Sequence, residues 1–185
     1  MMTELSLNVL DVVQNSIRAN ADFIQIQVVI NSEQDSLTIT ITDNGLGMTK
    51  EQIIKAEDPF YTTRTTRPVG LGLPFFKYAA EATGGEFKIN SEPGRGTKVT
   101  AVFGLSHIDR MPLGDMTSTI HALITLNPDI DFLYIYQVND NSFKLDTREF
   151  REILDGMPFN VPEVSVYIKE YLTENHIEID AGRIF

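Results

Sequence analysis

The 185 residues include no cysteine and no tryptophan, and the three histidines lie far apart at positions 107, 121 and 176. Without cysteine the chain has no disulfides, no thiolate metal sites and no cysteine nucleophile. The histidine spacing also argues against a structural metal centre. No apolar run approaches the roughly 18 to 20 residues that a membrane span needs. The N-terminal stretch MMTELSLNVLD is acidic where a signal peptide would be basic. We therefore expect a cytoplasmic protein without a membrane segment.

The chain has fewer basic than acidic residues, and its formal net charge is −11. A nucleic-acid partner is not expected, because phosphate neutralisation needs a basic face. The acidic excess is uneven along the chain. Residues 1–104 carry 9 Lys and Arg against 12 Asp and Glu, whereas residues 105–185 carry 6 against 14. The first part is nearly neutral and could accept an anionic ligand.

The hydrophobic pattern of residues 1–104 predicts alternating helices and strands. An apolar stripe at the helical period predicts a helix over residues 4–19, and alternating runs predict strands over 23–30 and 37–43. A short helix is predicted near residues 49–56 and another over 73–82, which ends at a Gly-Gly pair. The segments EFKINS and TKVTAVF, joined by EPGRG, predict a hairpin.

The pattern of residues 105–185 predicts a second set of helices and strands. We interpret this segment as a docked extension, because no flexible linker precedes it. Helices are expected over 115–126 and 147–154, and strands over 132–138 and 143–145. A last helix is predicted to begin from Asn160, with Pro162 and Glu163 in its first turn as a capping-box arrangement.

The first helix carries a polar pair of interest. Asp11 and Asn15 are four residues apart and share a face, with Asn8 at nearly the same angle. This face can simply be solvated. Alternatively, the Asn15 carboxamide suits Mg²⁺ and the Asp11 carboxylate could accept a proton from a nucleophile.

Asp43 ends a strand on the face of Leu37, Ile39 and Ile41. A carboxylate at the end of a buried row must be hydrogen-bonded, because leaving it bare costs several kcal/mol. Two interpretations remain open: Asp43 caps its own turn, as in an Asx turn, or it accepts from the exocyclic amine of adenine.

Three further segments are weak signals taken singly. Gly70-Leu71-Gly72 precedes a helix, where backbone N–H groups can bind an anion. Arg64 and Arg67 just upstream could lie over phosphates or be ordinary surface residues. GRGT at residues 94–97 also makes a good hairpin turn. The chain has neither a P-loop nor a dinucleotide-binding glycine fingerprint.

Taken together in order, these motifs resemble the ATP-binding domain shared by gyrase, heat-shock chaperones, histidine kinases and MutL. The resemblance covers about residues 4–104. DVVQNSIRANAD is similar to the family's N box, DNGLGM to its G1 box, VGLGL to its G2 box and GRGT to its last box. DPFYTTR is similar to the lid sequence of sensor histidine kinases.

The resemblance implies a fold and a set of ligand-binding residues. The fold is an α/β two-layer sandwich of the Bergerat type, with a mixed, mainly antiparallel sheet and helices on one face, followed by a C-terminal α+β extension. Asn15 is implied to bind Mg²⁺, Asp43 to recognise adenine with support from Thr97, and Asp11 and Arg64 to be catalytic. The other implied nucleotide-binding residues are Gly45, Gly47, Met48, Thr62, Thr63, Gly70, Leu71, Gly72 and Leu73.

Two departures from the family bear on activity. Members that hydrolyse ATP usually have Glu where this chain has Asp11. Only about three residues precede the first helix, so we do not expect a complete self-phosphorylating sensor kinase. The expected function is Mg²⁺-ATP binding with ATPase or protein kinase activity toward a partner protein. The alternative is a non-catalytic ATP-dependent switch, and a homodimer is possible in either case.

Overall fold

The computed structural model describes residues 3–58 and 72–185. The helices in this part of the chain are α1 (Leu5–Arg18), α2 (Lys50–Ala56), α3 (Gly72–Glu81), α4 (Met116–Leu126), α5 (Thr147–Ile153) and α6 (Pro162–Asp180). The strands are β1 (Phe23–Asn31), β2 (Ser36–Asp43), β3 (Glu86–Glu92), β4 (Gly96–Gly104), β5 (Asp131–Val138) and β6 (Asn141–Asp146).

The strands form one sheet in the order β3-β4-β2-β1-β5-β6. Neighbouring strands are antiparallel except β1 and β5, which run parallel, and α4 connects β4 to β5. This confirms the predicted mixed, mainly antiparallel sheet. Strands β5 and β6 come from the segment after residue 105 and extend the sheet beyond β1. The division of the chain at residue 105 stays a prediction, although both parts share this sheet.

Alternation along the strands places one face of the sheet in the core. Strands β1, β2 and β5 bury every second residue, and α1, α3, α4 and α6 add apolar side chains to the same buried cluster. Each large aliphatic side chain in that cluster stabilises the fold by about 1.5 to 3 kcal/mol relative to exposure. The helix-covered face therefore holds the sheet together and fixes the relative positions of α1, α3 and the strand ends.

The ends of two helices show how far the sequence determines the element boundaries. Helix α2 begins after Thr49, whose hydroxyl accepts from the Gln52 amide at 3.3 Å while the Gln52 side chain accepts from the Thr49 amide at 2.8 Å. For α6 the predicted cap at Asn160 is wrong. Val161 is the N-cap residue without a side-chain hydrogen bond, and Pro162 begins the helix with its fixed φ.

No helix within residues 3–58 and 72–185 is long and apolar enough to cross a membrane.

Candidate functional site

The Asp43 carboxylate lies at the C-terminal end of β2 and is 8% exposed. Its Oδ1 accepts hydrogen bonds from the backbone amides of Gly45 at 2.9 Å and Thr97 at 3.2 Å. Its Oδ2 accepts from the hydroxyl of Ser16 at 2.6 Å. These three donors meet the cost of burying the carboxylate. The Asx-turn interpretation is therefore correct as far as the Gly45 bond goes, and it leaves part of Oδ2 available to a ligand.

Ser16 was not predicted from the sequence. It lies on α1 one residue after Asn15 and is 4% exposed, and its hydroxyl bonds across to β2. A serine inside a helix commonly points to solvent or bonds to the carbonyl one turn earlier. Its adjacency to the N-box asparagine was the one signal that could have drawn attention to it.

The loop after Asp43 that contains Gly45 and Gly47, called the glycine loop below, lies between α1 and the β3–β4 hairpin. A Cβ on Gly45 would lie 2.7 Å from the Ala19 carbonyl oxygen, and one on Gly47 would lie 2.0 Å from the Glu92 carbonyl oxygen. Gly47 also has φ of +67°, in the left-handed region that glycine adopts at little cost. Both glycines thus permit close approach of protein backbone, a requirement that exists before any ligand binds.

Polar side chains on both sides of this loop hold it in place, and the sequence alone did not single them out. The Asn44 side chain accepts from the amides of Asp22 and Phe23 and donates to the Asp22 carboxylate at 2.6 Å. The Ser91 hydroxyl accepts from the Met48 amide at 2.8 Å and donates to the Gly96 carbonyl at 2.9 Å.

Thr97 and Met48, both predicted site residues, meet at Ser91. Thr97 pairs with Asp43 across β4 and β2, so its amide is directed at the carboxylate. The Thr97 hydroxyl lies 2.9 Å from the Ser91 hydroxyl. The Gly-Thr segment at the start of β4 is therefore joined by hydrogen bonds to both ends of the glycine loop.

Helix α1 presents Asp11 and Asn15, both half-buried, on its polar face. The Asn15 side-chain oxygen accepts from Arg18 at 3.2 Å. The same helical pattern placed Asn8 on this polar face, but Asn8 is fully buried. Its side-chain amide makes no hydrogen bond with the residues that the structure describes. The polar face thus continues into the core at its N-terminal end.

Asp11 lies against the first residue of α3. A Cβ on Gly72 would come within 1.9 Å of the Asp11 Oδ2, so a larger residue there would displace this carboxylate. Gly72 is buried, and Leu73 after it packs partly against the core. The structure therefore brings Asp11 to the N-terminus of α3, where the helix dipole favours negative charge.

Five predicted site residues, Thr62, Thr63, Arg64, Gly70 and Leu71, lie outside the described residues, as does Arg67. Several of the described ones, together with Ser16, form two groups along α1. Ser16, Asp43, Gly45 and Thr97 form a hydrogen-bonded group at one end, and Asp11 and Gly72 are in contact about one turn further toward the N-terminus. Asn15 lies between these groups on the helix.

The donors available to a divalent cation are few. No cluster of three or more His, Asp or Glu side chains able to hold a metal occurs in residues 3–58 and 72–185. A carboxamide oxygen and a nearby carboxylate nevertheless fit Mg²⁺ that is held mainly by substrate phosphates and water, because Mg²⁺ commonly takes only one or two protein ligands in such sites. Asn15 is the candidate ligand for that role, and Asp11 is the nearby carboxylate.

A comparison with protein families agrees with this geometry. The family described as histidine kinase-, DNA gyrase B-, and HSP90-like ATPase matches residues 3–107, more than half of the chain. The chain belongs to this family. The match covers α1 through β4, including every described residue of the two groups.

Curated relatives of the family domain include sensor kinases. A segment of 97 residues is 38% identical to the sensor protein kinase FleS of Pseudomonas aeruginosa, covering 52% of this chain and 24% of the relative. A segment of 89 residues is 36% identical to sporulation kinase E of Bacillus subtilis, covering 48% and 12%. The chain thus spans a quarter or less of the length of these relatives.

A solved structure shows the same fold over a larger part of the chain. The Aquifex aeolicus MutL ATPase domain complexed with ADP aligns with a TM-score of 0.50 at 15% identity, covering 84% of this chain and 70% of that one. The match confirms the predicted fold class, since the sheet and its helices follow the ATPase architecture of the family.

Proposed function

We propose that this protein binds Mg²⁺-ATP and transfers the γ-phosphoryl group to a partner protein or to water. The observation that carries the proposal is the buried Asp43 carboxylate, which is oriented by three protein donors and retains acceptor capacity on Oδ2. Membership in an ATPase family supports it. Asp43 would accept from the exocyclic amine of adenine, with Thr97 and Gly45 fixing its orientation.

At the phosphate end of the site, the contact between Asp11 and Gly72 supports a catalytic role. Asn15 would hold Mg²⁺, which would neutralise phosphate charge when bound. Asp11 would accept the proton of the attacking hydroxyl or water as the new oxygen–phosphorus bond forms. The bond from the γ-phosphorus to the bridging oxygen then breaks and ADP leaves. A positioned base of this kind contributes about 10² to 10⁴-fold to rate.

Five further predicted site residues belong to this proposal. Arg64 would stabilise charge that develops on the γ-phosphate, because a guanidinium can bind phosphate oxygens in bidentate fashion. Thr62, Thr63, Gly70 and Leu71 would complete the phosphate end. The family resemblance of VGLGL and DPFYTTR supports these roles.

A non-catalytic, ATP-dependent switch is the second candidate. The observation that favours it is sheet connectivity: β1 pairs on one side with β2, which carries Asp43, and on the other with β5 from the segment after residue 105. A ligand at Asp43 could thereby bias the surface that residues 105–185 present to a partner. A partner protein, a possible homodimer and a cytoplasmic location complete the proposal.

Turnover by wild type distinguishes the two candidates, and turnover by an Asp11→Asn variant tests whether Asp11 is the base. We expect wild type with Mg²⁺-ATP and candidate acceptor proteins to form ADP or a phosphoprotein. We expect Asp11→Asn to bind ATP within about threefold of wild type but to lose at least about 100-fold in turnover, because the amide cannot accept the proton. ADP release and labelled phosphate on protein are the readouts.

Asp129→Asn is the matched control, since Asp129 is exposed in the turn between α4 and β5. It removes the same charge and should leave turnover unchanged. If Asp11→Asn turns over as fast as Asp129→Asn, Asp11 is not the base. If wild type binds ATP and forms no ADP with any acceptor, the enzyme proposal fails in favour of the switch.

A further inference from the structure

We infer that Ser16 is a specificity-determining residue that positions the Asp43 carboxylate for a 6-amino purine. The inference rests on the proposed ATP binding and adds a residue to that site. Its basis is the hydrogen bond from the Ser16 hydroxyl to Asp43 Oδ2, at 2.6 Å between two buried side chains on different elements.

The first step is a count of acceptor positions. A carboxylate offers about four lone-pair positions, two on each oxygen. The Gly45 and Thr97 amides occupy both positions on Oδ1, and Ser16 occupies one on Oδ2. Among bonds with the described residues, one acceptor position therefore remains, and it is on Oδ2. That position suits a single N–H from an exocyclic amine.

The second step concerns the proton of the hydroxyl. A serine has one proton to donate, and Ser16 gives it to Asp43. The pair therefore presents acceptors to an incoming base. A 6-oxo group, as in inosine or guanosine triphosphate, would bring an oxygen acceptor against Oδ2 and leave that acceptor unpaired. Sites that hydrogen-bond one functional group reject the analogue that lacks it strongly, because their own polar groups are then unsatisfied.

The third step is what happens without the hydroxyl. In Ser16→Ala the short, charge-assisted bond is lost, and such bonds are about twice as strong as neutral ones. Asp43 keeps its two amide donors on Oδ1 but can rotate its other oxygen, and a water can enter beside it. The position that selects the amine is then no longer fixed, so discrimination between 6-amino and 6-oxo nucleotides falls.

The test measures affinities for Mg²⁺-ATP and Mg²⁺-ITP by calorimetric titration. Wild type should prefer ATP by at least about 100-fold. Ser16→Ala should lower ATP affinity by about tenfold and reduce the ATP-to-ITP ratio by at least that factor. Ser16→Thr keeps a hydroxyl and should restore most of the ratio. The ratio is the decisive readout, because a purely structural loss would weaken both nucleotides equally.

Ser6→Ala is the matched control in the same helix. Ser6 is also fully buried on α1, but its hydroxyl has no hydrogen-bond partner among the described residues. Removing it should change neither affinity nor ratio. If Ser16→Ala does not fold, Ser16→Cys keeps the volume with a weak donor, and its ratio should fall as well.

The outcomes separate the two claims. Wild type that binds neither nucleotide overturns the proposed function itself. Wild type that binds ATP, with the ratio unchanged in Ser16→Ala or in Ser16→Cys, overturns the role of Ser16 and leaves the proposed function standing. A reduced ratio that Ser16→Thr restores supports the role of Ser16.

Discussion

Gly94 and Gly96 illustrate how differently two neighbouring glycines can be constrained. Both have positive φ, +76° and +92°; Gly94 lies in the turn between β3 and β4, and Gly96 is the first residue of β4. A Cβ on Gly94 would meet nothing within 4 Å, whereas one on Gly96 would lie 1.9 Å from the Asp43 carbonyl oxygen. Gly96 therefore permits the close pairing of β4 with the end of β2, which places the Thr97 amide at the Asp43 carboxylate.

We expect Gly96→Ala to lower the free energy of unfolding by more than about 3 kcal/mol, since strain at positive φ costs about 1 to 2 kcal/mol and overpacking against backbone adds a similar amount. Gly94→Ala carries the strain alone and should cost about 1 to 2 kcal/mol. Denaturant unfolding of both variants checks this difference. Equal losses would mean that β4 can move away from β2 at no cost, contrary to the geometry described above.

For single residues, the sequence predicted which residues lie near Asp43 better than it predicted their hydrogen bonds. The parity of β2 correctly indicated that Asp43 is buried. Ser16 could not be derived, because its bond spans 27 residues and depends on how α1 crosses the sheet. The helical period gave the angle of Asn8 around α1 but not its full burial, because periodicity does not give the depth of a residue along the helix.

Among the elements, α6 packs on β5 and β6 through a group of aromatic rings. The imidazole of His176 stacks on Tyr136 with the ring centres 4.1 Å apart, and its Nε2 lies 3.0 Å from the Tyr134 hydroxyl. Burial lowers the pKa of His176 to about 4, although the carboxylates of Asp180 and Asp115 oppose the shift. The neutral imidazole is thus part of the contact between α6 and the sheet.

Lowering the pH should reduce the stability of the folded protein before the His176 imidazole is protonated within it. The unfolded chain has a histidine pKa of about 6.5, so from about pH 6.5 down to about 4 the unfolded state binds more protons than the folded state. The free energy of unfolding should therefore fall as the pH falls through this window, by up to about 1.4 kcal/mol per pH unit from His176.

The measurement is pH-dependent denaturant unfolding of wild type and His176→Phe, which keeps a stacked ring without a titrating group. The unfolding free energy of wild type minus that of His176→Phe should decrease as the pH falls from about 6.5 to about 4. A difference that is constant with pH would show that His176 protonates equally in both states. NMR titration of the His176 ring provides an independent value, expected near 4.

The element boundaries were largely predictable because the chain gives clear local signals. The Thr49 capping box and the strong alternation of β1, β2 and β5 set those elements within a residue or two. The start of α6 was not, because Asn160 is a good capping residue in isolation and the backbone instead begins the helix at Pro162. Local preference therefore predicted the helix with Pro162 and Glu163 in its first turn, and it missed the N-cap by one residue.

For the whole molecule, the least predictable feature is that one sheet runs through both parts of the chain. Pairing of β1 with β5 joins residues more than 100 apart in sequence. No local pattern specifies such a partner, because an alternating strand pairs equally well with several others. The family resemblance indicated the arrangement up to residue 104, and the placement of β5 and β6 beside β1 came from the structure alone.

The central claim is that Asp43 recognises ATP, and calorimetric titration of Mg²⁺-ATP into wild type, Asp43→Asn and Asp140→Asn tests it most directly. Asp140→Asn removes the same charge at an exposed turn and should bind as wild type does. In Asp43→Asn an amide donor can replace the free acceptor, so the loss should be at least about 100-fold, beyond what one neutral hydrogen bond provides. Failure of wild type to bind at millimolar ATP, or equal affinity in all three proteins, would contradict the account.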